Sequence, residues 1–233
     1  LATMHRSRLS SQAIVADLEQ SLRSLQVEAI DLYWLHRDDP KRPVEEIIDA
    51  LQAQMQAGKI RAYGCSNWRT ERVAAAQAYA QRRGWPGFVA NQMLWSLAAV
   101  EQHALPDPTM VAMDASLQAW HRRTVLPVIP YASQANGFFQ RLADDRLAGL
   151  NDASRRLYDT PQNRRRFARV QTLAAESGLS ITAIVLGYLR GQPFPAIPII
   201  GCRTLAQVED SCRAADVKLN AAQIAFLEGE REE

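Results

Sequence analysis

The residues best suited to chemistry stand in short polar groups, each directly after an apolar run. His36-Arg37-Asp38 follows Ile30-Asp31-Leu32-Tyr33-Trp34-Leu35, and Ser66-Asn67-Trp68 follows Lys59-Ile60-Arg61-Ala62-Tyr63-Gly64-Cys65. Asn91-Gln92 closes a third run, Tyr131-Ala132-Ser133-Gln134 a fourth and Gly201-Cys202-Arg203 a fifth. Imidazole, hydroxyl, carboxamide and guanidinium groups can together orient and polarise a polar ligand. The run that ends in His36 is the sharpest of these signals. It is too continuous for a half-exposed strand and too short for a free-standing helix, so it reads as a strand buried on both faces. In parallel sheets the chemistry sits at the carboxyl ends of the strands, where His36 falls.

Several other chemistries find no support. No G-x-G-x-x-G and no G-x-x-x-x-G-K occurs, so neither a dinucleotide fingerprint nor a Walker-type loop is present. His5, His36, His103 and His121 show no metal-ligand spacing, and no metal is expected. Three sparse cysteines, Cys65, Cys202 and Cys212, predict reduced thiols and a cytoplasmic location. A formal charge of +2 makes no electrostatic case for nucleic acid or an anionic membrane as partner. Arg164, Arg165 and Arg166, near Arg155 and Arg156, read as a solvated helix face. No stretch approaches the ~20 apolar residues that span a bilayer, and no signal peptide is visible. At 233 residues, 47% hydrophobic and 22% charged, the chain can bury a core of useful size.

The elements that must position the polar groups alternate in type. Ser10 or Ser11 caps a helix carrying Ile14, Leu18, Leu22 and Leu25, which leads into the first strand. Pro43 suits a first helical position, Val44, Ile47, Ile48, Leu51 and Met55 repeat at helical spacing, and Gly58 supplies the stop. Thr70 is expected to cap a helix with Val73, Ala76, Tyr79 and Ala80 inward, ending near Gly84. Residues 93–112 are irregular, broken by Pro106-Asp107-Pro108, and residues 136–162 are again loop-rich. Helices are predicted near 114–123, 163–177 and after Ser180. Thr204 with Gln207, and Asn220 with Gln223, make capping-box pairs. Strands are expected near 30–35, 59–65, 88–92, 126–131 and 196–200, the fourth weakened by its prolines. Strands alternating with helices mean βαβ units and a parallel sheet, an α/β fold. No composition shift divides the chain, so a single domain over residues 1–233 is expected.

Four of these blocks resemble the aldo-keto reductases in order and spacing. They are the strand ending in His36 with Arg37-Asp38-Asp39-Pro40, the stretch Gly58 to Trp68, Asn91-Gln92, and Ile197-Pro198-Ile199-Ile200-Gly201-Cys202-Arg203. The resemblance covers essentially the whole chain and implies a (β/α)8 TIM barrel, here lacking the first three βα units. It implies an NADP-dependent oxidoreductase, with NAD as the alternative cofactor, that reduces a small aldehyde or ketone to an alcohol by hydride transfer. The family's catalytic Asp, Tyr and Lys would lie before this chain, and residues 1–8 show no substitute for them.

By the same resemblance, His36 matches the catalytic histidine, which polarises the carbonyl oxygen. Ser66, Asn67 and Gln92 match the residues that hold the nicotinamide carboxamide, and Tyr131 the ring that stacks on the nicotinamide. Ser133 and Gln134 match the loop along the pyrophosphate. Gly201 and Arg203 match the 2′-phosphate region, and Gln207 and Asp210 positions near the adenine. Trp95 would line the substrate pocket. Two other readings stay open. One is a non-catalytic protein of the same superfamily that binds cofactor or a partner; the other is an unrelated phosphate-binding barrel.

Overall fold

The computed structural model describes residues 8–229, so His5 and the other residues before Arg8 lie outside it. The described chain falls into two compact units. Unit 1 is the chain through Met93 with Asp107–Pro127, and unit 2 is Leu94–Pro106 with the chain from Val128.

Unit 1 alternates helix and strand as its periodicity predicts. Helix α1, Ser11–Leu25, is capped by Ser10, whose side chain accepts the Ala13 N–H. It leads to strand β1, Ile30–Leu35, helix α2, Val44–Gln56, strand β2, Ile60–Ser66, helix α3, Thr70–Arg82, and strand β3, Asn91–Gln92. The three strands form one parallel sheet in the order β1-β2-β3. The register pairs Leu35 with Cys65 and Ser66 with Gln92, so the polar residues that follow each strand share one edge. Leu18, Ile47, Ile48 and Leu51 pack with Ile60, Tyr63, Val73 and Ala76 in a single buried core. Gly64 stands opposite Trp34 because a Cβ there would meet the indole at 2.5 Å. Helix α4, Ala115–Thr124, completes the unit.

Two helix starts differ by one residue from expectation. Pro43 is the cap of α2 rather than its first residue, and Arg69 caps α3 with Thr70 already helical. Neither helix has a side-chain cap, and the acidic residues Glu45, Glu46 and Glu71 occupy their first turns, complementing the helix dipole.

Unit 2 is mostly helical: α5, Phe138–Ala143, α6, Asp152–Tyr158, α7, Pro161–Ser177, α8, Ile181–Arg190, α9, Leu205–Arg213, and α10, Ala221–Glu228. Residues 136–162, expected to be loop, hold α5 and α6; six and seven residues are too few to show a helical repeat. Helix α8 is apolar on all sides and buried from Thr182 to Leu189. The capping box at Asn220 and Gln223 forms as predicted. At α9, Thr204 accepts the Gln207 N–H, but the Gln207 side chain accepts from Arg203 N–H rather than from the cap residue.

The expected fourth and fifth strands are corrected. Among the described residues they persist only as isolated parallel bridges, Leu94 with Tyr131 and Val128 with Ala196. Pro127, Pro130, Pro195 and Pro198 have no N–H to donate to a ladder. The bonds that form use the residues between them: Val128 N–H to Pro195 O, Ile197 N–H to Val128 O and Ile199 N–H to Pro130 O. The run 196–200 is not fully buried either, since Ile197 is 58% exposed. No single helix among the described residues is long and apolar enough to cross a membrane.

Candidate active site

Asn67 holds the strand ends of unit 1 together. It directly follows β2, has a left-handed backbone with φ of 61°, and is buried. Asparagine tolerates that conformation better than most residues with a Cβ. Its backbone N–H donates to Gln92 O at 2.8 Å, beside the end of β3. Its side-chain Nδ2 donates to His36 O at 3.2 Å and to Ser66 Oγ at 2.9 Å. Its Oδ1 accepts the Val111 N–H at 3.0 Å. One residue therefore ties the ends of β1, β2 and β3 to the irregular stretch after β3. Ser66 Oγ completes the group at 3.5 Å from Gln92 Oε1.

His36 itself is exposed. Its neighbours are not free to move. Arg37 donates from Nη1 to His36 O at 2.9 Å and from Nε to Thr109 Oγ1 at 2.9 Å. Asp38 and Asp39 are buried, and Arg72 forks onto Asp38 through two bonds of 2.9 Å while its guanidinium lies 5.2 Å over the Trp68 ring. Such a paired charge stiffens the turn after β1. Behind the sheet, the buried His121 places Nδ1 2.9 Å from Leu126 O and Nε2 3.3 Å from Asn91 Nδ2. Burial lowers its pKa, partly offset by the bond to Leu126. The neutral ring then donates from Nδ1 and accepts from Asn91. Burial also pushes the Cys65 thiol well up, so it is an inert core group.

The remaining predicted residues lie in unit 2. Tyr131 is half-buried, and its carbonyl accepts the Trp95 N–H. Trp95 is 6% exposed, stacked on Phe194 at 5.8 Å and edge-on to Tyr188 at 6.1 Å, the packing of a core aromatic. Ser133 is buried and donates to Ile199 O. Gln134 donates to Ser211 of α9 at 3.3 Å and accepts from Gln140. Gly201 and Arg203 are exposed just before the α9 N-terminus, and a Cβ at Gly201 would meet nothing within 4 Å. Asp210, in α9, accepts from Ser180, the cap of α8, at 3.0 Å.

The structure thus joins His36, Ser66, Asn67 and Gln92 in unit 1, and gathers Gly201, Arg203, Gln207 and Asp210 around the start of α9 in unit 2. It also brings Thr109 to Arg37 and Val111 to Asn67, two residues that sequence reasoning did not single out. The only hint of them was the length of the irregular stretch 93–112. Among the described residues no group of three or more His, Cys, Asp or Glu is placed to hold a metal.

The strand ends of this parallel sheet thus bring His36, Ser66, Asn67 and Gln92 together, His36 through its backbone carbonyl. The sequence model of the aldo/keto reductase family matches residues 1–230, and the chain belongs to that family. It is 30% identical over 219 residues to the "uncharacterized oxidoreductase YrpG" of Bacillus subtilis (strain 168), covering 94% of this chain and 64% of the relative. It is 27% identical over 227 residues to the versiconal hemiacetal acetate reductase of Aspergillus parasiticus, covering 97% and 64% respectively. The crystal structure of a thermostable aldo-keto reductase, Tm1743, in complex with the inhibitor epalrestat superposes with a TM-score of 0.66. That match is at 19% identity, covers 95% of this chain and 67% of the other, and speaks to the fold. The chain spans less than two thirds of the length of these two relatives.

Proposed function

We propose that the intact protein is an NADP-dependent oxidoreductase that reduces an aldehyde or ketone to an alcohol by hydride transfer. The observation that carries this reading is the Asn67-centred tie between His36, Ser66 and Gln92 at the strand ends of unit 1. In the same reading the fold is a (β/α)8 barrel, and the chain contributes all but its first three βα units to one domain.

Fixing one face of a nicotinamide needs a donor and an acceptor for its carboxamide. Ser66 Oγ and the Gln92 amide can supply both, because their mutual contact of 3.5 Å is weak. Asn67 fits differently from the other two. Both its N–H groups are committed to His36 O and Ser66 Oγ, so its work is to hold those groups in place. When bound, the cofactor supplies the hydride. His36 offers a ring N–H to the carbonyl oxygen and polarises it. In unit 2, Tyr131 would offer a flat face to the nicotinamide, and Ser133 and Gln134 would follow the pyrophosphate. Gly201 leaves space for close approach, Arg203 would pair with a 2′-phosphate, and the α9 N-terminus favours an anion. Gln207 and Asp210 would lie near the adenine.

Titration of the intact protein with NADPH and NADH, followed by tryptophan fluorescence, tests the reading together with a carbonyl-reduction assay. Saturable quenching at lower NADPH than NADH, and loss of that preference in Arg203→Ala, is the expected result. No saturable response to either cofactor would sink it. Binding without turnover would favour the non-catalytic alternative.

A further inference from the structure

His121 is fully buried behind the sheet of unit 1, and both of its ring nitrogens are engaged. Nδ1 lies 2.9 Å from Leu126 O, an atom that can only accept, so this nitrogen carries a proton. Nε2 lies 3.3 Å from Asn91 Nδ2. The contact to Leu126 depends on a strained turn. Val125, just after α4, has φ of 57° and is 54% exposed. A β-branched residue rarely takes that left-handed conformation. Such strain persists only where the surroundings hold it. Here the Val125 N–H donates to His121 O at 2.8 Å, and the turn carries Leu126 O back onto the ring.

Burial keeps the ring neutral, so a protonated Nδ1 leaves Nε2 bare and able only to accept. Asn91 must therefore present its NH2 to the ring, and its Oδ1 turns to Cys65 Sγ at 3.4 Å. The Cys65 thiol, kept protonated by burial, is the donor there. The Asn91 N–H donates to Pro127 O at 3.0 Å. A backbone carbonyl on the far side of the ring thus dictates which way a buried amide in β3 points. Strand β3 has only two residues, and the second is Gln92. Gln92 pairs with Ser66 in the register, and its carbonyl accepts the Asn67 N–H. The seat of Gln92 therefore rests on the ties of Asn91.

We propose that His121 is a positioning residue that acts on Gln92 through Asn91. Its ring passes the constraint of the turn after α4 to the amide of Asn91, and Asn91 holds the adjoining Gln92 where its carboxamide can meet a nicotinamide. This rests on the reading of Gln92 as a nicotinamide ligand, and it extends that site to the back of the sheet.

Two measurements on the intact protein test it. Long-range proton–nitrogen correlation of the 15N-labelled protein, at pH about 7.5 where an ordinary imidazole is neutral, reads the His121 tautomer, its signals being those lost in His121→Phe. The expected pattern is a protonated Nδ1 and a bare Nε2, and in His121→Phe the Gln92 side-chain amide signals shift. A His121 protonated on Nε2, or Gln92 signals unmoved in a folded His121→Phe, would overturn the proposal. NADPH titration followed by tryptophan fluorescence separates positioning from general loosening. His121→Phe should weaken binding about fivefold, the factor of one ordinary hydrogen bond. His121→Gln, whose amide can still accept from Asn91, should weaken it less. In a Gln92→Ala background His121→Phe should have no further effect. An equal loss in both backgrounds is the mark of a merely structural role and counts against the proposal. Should His121→Phe unfold, Asn91→Ala breaks the same link from its other end. If neither wild type nor any variant responds to NADPH, the cofactor reading fails, and the tautomer with the Gln92 signals still decides the positioning role.

Discussion

Replacing Asn67 by alanine separates the two demands placed on this residue. The substitution removes two side-chain donors and one acceptor at a buried position. The Val111 N–H and the His36 carbonyl each lose this partner. A buried group left unpaired costs about 1–3 kcal/mol, and His36 O keeps its bond from Arg37, so Val111 carries most of the loss. Alanine at a φ of 61° adds about 1 kcal/mol of backbone strain. Together they predict a destabilisation of about 3 kcal/mol, a large share of the 5–15 kcal/mol that holds a typical domain. Asn67→Gly loses the same bonds without the left-handed penalty, although glycine brings extra unfolded-state entropy. It should therefore sit slightly above Asn67→Ala, by about 0.5–1 kcal/mol. Urea unfolding followed by tryptophan fluorescence measures both, with the slope m required to stay constant. An Asn67→Ala protein within about 0.5 kcal/mol of wild type would refute the tie as a structural element. A glycine variant clearly less stable than the alanine one would refute the role assigned to the backbone.

Three further outcomes are expected. Gly64→Ala forces a Cβ to within 2.5 Å of the Trp34 ring; overpacking of this kind costs about 1–3 kcal/mol, and a thermal melt should show it together with a changed Trp34 emission. Arg72→Ala strands the buried Asp38 carboxylate; breaking a buried pair costs about 3 kcal/mol, and Arg72→Ala combined with Asp38→Asn should recover part of it in a double-mutant cycle. His121 has a lowered folded pKa, so below its unfolded value of about 6.5 the unfolded chain binds the extra proton and stability falls as the pH drops. Unfolding free energies from pH about 7.5 down to 5 should show that slope in wild type and lose part of it in His121→Gln.

Much of the architecture was legible in local pattern. Ile14, Leu18 and Leu22 marked α1, and the continuous run 30–35 marked β1, because burial demands apolar residues at the period of each element. The polar residues after β1, β2 and β3 could be read as one edge, since parallel strands end on the same side. Helices α5 and α6 were not legible, being too short to show a repeat. The prolines of 127–130 and 195–198 were visible as a weakness, but how far they reduce the ladder depends on which N–H groups face a neighbour. Trp95 could not be placed from sequence, because whether an indole lines a pocket or a core depends on what Phe194 and Tyr188 do almost a hundred residues later.

The chain by itself determined its family, its alternation of helix and strand, and the identities of His36, Ser66, Asn67 and Gln92, because residue type and spacing within one element are local properties. Only the tertiary structure decided how these residues divide the work. Asn67 became the tie, and Arg37 is pinned after β1, because Val111 and Thr109, 44 and 72 residues further along, come back to meet them. A hydrogen bond fixes a donor and acceptor to a few tenths of an ångström, and no local pattern encodes which distant residue supplies the other half.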